Sequence, residues 1–78
     1  MNTLDVIKLC ADSAGIPQYM IGVRMGKTKH YIAQVMSRGS VPKADTLARM
    51  LDACGYGLFA CPLDARPEHG YRITPGDE

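Results

Sequence analysis

The stretch QYMIGVRMGKTKHYIAQVMS, Gln18 to Ser37, decides how this chain folds. Apolar residues keep helical spacing on both sides of a break at Gly26, so the stretch reads as two short helices joined by a tight turn. The first runs from Gln18 through Met25. The second starts at about Thr28, whose hydroxyl can cap it, and ends at Ser37; Tyr31, Ile32, Val35 and Met36 form its apolar stripe, with Lys29, His30, Ala33 and Gln34 off it. For the second helix to stand free of the body, the two must cross steeply. Close crossing asks for a small side chain, which Gly22 supplies. The turn asks for a residue that tolerates positive φ, which Gly26 supplies. Ile21, Met25, Ile32 and Val35 are the buried anchors.

Outward from this pair, the pattern stays helical. On the N-terminal side, Asn2 or Thr3 caps a helix with Leu4, Ile7, Ala11 and Ala14 three or four apart and Asp5 in its first turn, closed by Gly15. Pro17 then fits the first turn of the next helix. On the C-terminal side, Arg38 to Val41 form a loop before Pro42. A fourth helix follows, with Ala44, Leu47, Ala48, Leu51 and Cys54 on one face and Gly55 at its end. Past this point helix gives way to two short strands, 58–61 and 71–74, around a turn-rich run from Asp64 to Gly70 that includes Pro67. So small a hairpin is marginal alone in water, so it packs on the helices or pairs with a strand of a second chain. Residues 75–78 read as a frayed acidic end.

A chain of 78 residues holds one domain, and at 46% apolar and 22% charged residues its composition is that of a globular protein. It contains neither a membrane-length apolar run nor a secretory leader pattern, which places it in the cytoplasm. Cys10, Cys54 and Cys61 are odd in number and lack paired spacing, so they read as core residues. A metal site from Cys54, Cys61 and His69 would fall short of the four closely paired ligands zinc usually takes, and no cofactor is expected. The net charge of +1 is unevenly spread: residues 13–44 carry Arg24, Lys27, Lys29, Arg38 and Lys43 without one acid, and residues 45–78 sum to −3. An acid-free window suits a surface that faces polyphosphate. An ordinary solvated face accounts for the same run equally well.

The central segment resembles the helix-turn-helix of the phage repressor and Cro family, also called the Xre family. Counted from Gln18, that family places an aliphatic residue fourth, a small one fifth, glycine ninth, and aliphatics fifteenth and eighteenth; here stand Ile21, Gly22, Gly26, Ile32 and Val35. The Pro42 to Leu47 stretch also resembles the opening of the family's next helix. The likeness covers roughly residues 4–55. Two positions depart from it: Lys27 stands where many members carry an aliphatic residue, and the loop glycine comes as Gly39 rather than at position 38. The resemblance implies a mainly α chain: a compact four-helix lambda-repressor-like DNA-binding domain over residues 1–55. Residues 56–78 would add a short C-terminal β-hairpin or strand pair, an element for dimerisation or partner docking.

It further implies a transcription regulator that reads duplex DNA through the helix at 28–37. By position, Lys29, His30 and Gln34 would reach base edges, lysine to guanine and the glutamine amide to adenine. Gln18, Thr28 and Tyr31 resemble the family's phosphate contacts, aided by N–H groups at two helix starts. Lys27, Arg38 and Lys43 would flank the groove. Each also has a plainer role: Tyr31 completes the apolar stripe, and Lys29, His30 and Gln34 are ordinary residues of a solvated face. One such helix contacts few bases, so a homodimer is expected. Antitoxins that repress their own operon, with a toxin as partner, also resemble the chain closely and are the alternative within this class; an interaction module that does not read DNA is a further expectation. No cysteine–histidine pair with an orienting partner and no phosphate-cradling glycine loop points to an enzyme.

Overall fold

The computed structural model describes residues 2–64 and 70–74. The chain is mainly α, four helices followed by a two-stranded antiparallel sheet: α1 Thr3–Ala14, α2 Gln18–Arg24, α3 Tyr31–Arg38, α4 Ala44–Ala53, β1 Leu58–Ala60 and β2 Tyr71–Ile73.

Of the two expected caps for α1, Asn2 is the one used. Its side chain accepts the Asp5 N–H at 2.9 Å, while the Asp5 carboxylate accepts the Asn2 N–H at 3.4 Å, a reciprocal box that satisfies two otherwise free donors. Ile7, Cys10 and Ala11 face the core; Ala14, expected on that face, is exposed. At the end of α2, the Lys27 N–H reaches back to the Gly22 carbonyl at 2.9 Å and the Gly26 N–H to the Val23 carbonyl at 3.0 Å. This paired closure needs a left-handed residue, and Gly26 has φ 80°.

The third helix starts later than its sequence suggests. Thr28 does not cap it; the first helical residue is Tyr31, after His30, which makes no side-chain cap hydrogen bond. The Tyr31 N–H donates to the Thr28 carbonyl at 3.2 Å, so residues 28–30 form a turn. The cause lies in the crossing: a Cβ on Gly22 would sit 3.0 Å from the Thr28 carbonyl oxygen and 3.2 Å from Tyr31 Cβ. Thr28 is thus positioned by α2 instead of by its own helix.

All four helices contribute to one core, in which Ile7, Ile21, Ile32 and Met50 are the largest fully buried side chains. Met25, Tyr31, Val35, Met36 and Leu47 pack around it, half-buried. Ala44, expected on the buried face of α4, is exposed, and Met50 takes part in the face instead. The strands are each one residue shorter than expected and pair Leu58 with Ile73, Phe59 with Arg72 and Ala60 with Tyr71. Leu58 packs on the helical core, and Arg72 reaches Asp52 of α4 at 3.3 Å, so the sheet does lie against the helices. Positions 65–69 of the expected turn, with Pro67 and His69, and the acidic end at 75–78 lie outside the described residues.

Cys10 and Cys54 are buried as expected, but Cys61 is exposed, because the segment after β1 runs along the surface. Burial pushes the Cys10 and Cys54 thiols above the ordinary range; at Cys54 the nearby Cys10 adds to the rise and Arg24 opposes it. Thiolate is the reactive form, so iodoacetamide at neutral pH should label Cys61 first, and Cys10 and Cys54 only once the chain unfolds. Mass spectrometry of the native protein checks this; early label on Cys10 would contradict the packing. Among the described residues no helix is long and apolar enough to cross a membrane, and no group of three or more His, Cys, Asp or Glu side chains could hold a metal.

Candidate nucleic-acid interface

Helical geometry sorts the side chains of α3 onto two faces. Ile32 is buried and Tyr31, Val35 and Met36 are half-buried, which holds one face to the core. The opposite face carries Ala33, Gln34, Ser37 and Arg38, all exposed, and with His30 these residues line one open concavity. Spacings of three and four residues put them on a common surface. No acid lines it.

The expected site residues divide into groups. His30, Gln34 and Arg38 come together in the concavity. Lys27 and Tyr31 line a separate cleft against α4, with Met25, Asp45, Thr46 and Arg49. Here the Lys27 ammonium stands 5.9 Å from the centre of the Tyr31 ring. There the charge faces the ring's π-cloud. Tyr31 fulfils the plainer expectation, since its ring packs on the core. Thr28 and Lys29 are exposed in the turn before α3, Gln18 is half-buried at the first position of α2, and Lys43 is exposed at the N-cap of α4. Neither α2, α3 nor α4 has a side-chain cap hydrogen bond at its start, in contrast to α1.

Two features were not legible as part of this surface. Arg24, counted among the window's five cations, turns away: its guanidinium donates to the Ala53 carbonyl at 2.8 Å and closes the end of α4. Asp45, the first acid after the window, lies in the cleft beside Lys27 and Tyr31, 3.6 Å from Arg49 one turn along α4. Ala33 and Ser37 join the concavity although neither was among the expected site residues; their offsets of three and seven from His30 were the available signal. The late glycine also has its explanation. Gly39 ends α3 with φ 66° and donates to the Met36 carbonyl at 3.2 Å, so the helix ends one residue later than the expected Ser37.

Comparisons with protein-family models, curated proteins and solved structures returned no match for this chain.

Proposed function

We propose that this chain is a sequence-specific duplex-DNA-binding regulator that presents the outer face of α3 to the major groove. The supporting observation is the concavity lined by His30, Ala33, Gln34, Ser37 and Arg38, with Lys29 exposed in the turn before it and, among the described residues, no carboxylate in its lining. The groove floor offers hydrogen-bond donors and acceptors between two phosphate rows, and this face offers an amide, an imidazole and a hydroxyl beside the Arg38 guanidinium. Lys29, His30 and Gln34 read bases; Thr28, Lys27, Arg38 and Lys43 hold the backbone. Gln18 and Tyr31 complete the phosphate contacts that the resemblance implies, the half-buried Tyr31 ring packing on the core as well.

Eight helical residues reach only a few base pairs, so the active form is a homodimer on two half-sites about 34–36 Å apart, in the cytoplasm. The sheet supports the same reading: Phe59 and Tyr71 are exposed, and each strand keeps one unpaired edge among the described residues. A second copy, or a toxin if the chain serves as an antitoxin, would dock there. Selection from a random duplex pool, followed by measurement of bound stoichiometry, tests the proposal; a monomer that retains no duplex at low salt would end it.

Two substitutions separate reading from holding. Gln34→Ala should cost about 1–3 kcal/mol on the selected duplex and relax the preference at one base pair. Lys43→Ala should weaken selected and random duplexes alike and lower the salt slope by about 1. Titrations by fluorescence anisotropy at several salt concentrations would show this, and identical losses for both variants on both duplexes would contradict the assignment.

A further inference from the structure

The cleft between the turn before α3 and the start of α4 has a volume of about 90 Å³ and is lined by Met25, Lys27, Tyr31, Asp45, Thr46 and Arg49. Two of its charges have fixed neighbours: the Tyr31 ring lies 5.9 Å from the Lys27 ammonium, and Arg49 lies 3.6 Å from the Asp45 carboxylate. A cleft this small keeps all three charges within the roughly 10 Å over which 0.1 M salt screens exposed groups, and the half-buried acid is screened less than that. Asp45 therefore acts on Lys27 with or without direct contact. Two cations against one carboxylate leave the cleft at +1, where without the acid it would stand at +2. A phosphate that approaches Lys27 meets the charge of Asp45 as well. On the DNA-reading proposal, we infer that Asp45 is a positioning residue that restrains the grip of Lys27 on the DNA backbone. It touches no base and lowers affinity for every duplex alike, while the concavity on α3, which no carboxylate lines, keeps its base preference. Weak holding of this kind matters because non-target sites far outnumber target sites and are bound almost wholly through phosphates.

The test uses the full chain with selected and random duplexes, titrated between 50 and 200 mM salt. Asp45→Asn should bind both duplexes more tightly, with a salt slope steeper by up to about 0.9, so that its gain is about threefold larger at the low end of that range than at the high end. Asp45→Glu, which keeps the charge, should retain the wild-type slope. Adding Lys27→Ala to Asp45→Asn should remove the gain. An unchanged slope in Asp45→Asn, or a gain that persists without Lys27, refutes the restraint while duplex binding by the wild type leaves DNA reading standing. If the wild type retains no duplex at low salt, the restraint and the reading it rests on fall together. Should Asp45→Asn fail to fold, Lys27→Ala in the otherwise wild-type chain decides: a restrained lysine lowers the slope clearly less than Lys43→Ala does, and an equal loss overturns the inference.

Discussion

Ile32→Ala should lower the stability of the fold by about 2–5 kcal/mol, the range for removing a buried isoleucine side chain beyond its Cβ. Ile32 is 1% exposed and is the one buried residue of α3, packed in the cluster with Ile7 of α1, Ile21 of α2 and Met50 of α4. The cavity opens where all four helices meet, so no single element can relax to fill it. Typical stabilities of about 0.05–0.15 kcal/mol per residue imply about 4–12 kcal/mol for a chain of 78 residues, so the loss is a large share of the total. Urea unfolding followed by circular dichroism measures it. Ser37→Ala, on the exposed face of the same helix, serves as the control and should stay within about 0.5 kcal/mol of wild type. An unchanged midpoint for Ile32→Ala would mean that α3 is held by something other than this contact.

Gly22→Leu acts at the other attachment of α3. A Cβ there already lies 3.0 Å from the Thr28 carbonyl oxygen and 3.2 Å from Tyr31 Cβ, so the rest of a leucine has no room unless α2 and the turn separate. Overpacking of this kind costs about 1–3 kcal/mol, and more where backbone must move. Here one of the two clashing partners is backbone, so a loss of about 3 kcal/mol is expected, with the amide resonances of residues 27–31 shifted most. Gly22→Ala separates the causes. Alanine gains about 0.5–1 kcal/mol in a helix over glycine, and a small retreat of the Thr28 carbonyl offsets that gain, so its net change should stay within about 1 kcal/mol. A leucine variant as stable as wild type would show that the close crossing is not required.

Much of this architecture can be read without coordinates, because it depends on groups only a few residues apart. The capping of α1 by Asn2 and Asp5 needs four residues of sequence, and the closure at Gly26 needs six. The spacing of Ile21, Met25, Ile32 and Val35 marks which sides of two helices turn inward, and all four lie in or against the core. The outward face of α3 follows from the same periodicity. Gln34 and Arg38 were visible as candidates because they fall between the apolar positions, whereas Ala33 and Ser37 escaped because a short side chain advertises no chemistry of its own.

Other features depend on partners far away in the chain. Arg24 is indistinguishable in sequence from the other cations of the acid-free window, yet its partner is the Ala53 carbonyl, 29 residues on. Thr28 has the chemistry of a helix cap, but the approach of Gly22 uses its carbonyl to set the crossing, and α3 waits until Tyr31. Cys61 looks apolar enough for the core and lies on the surface. Asp45, which ends the cationic window along the chain, faces the cleft beside Lys27 in space. Composition, spacing and glycine placement by themselves determined the helices, their order and their inner faces, since each of these depends on hydrogen bonds and side-chain neighbours within about one or two turns. Only the tertiary structure decided where α3 begins and which cations stay on its exposed side, because those outcomes depend on which distant groups come within a few ångströms.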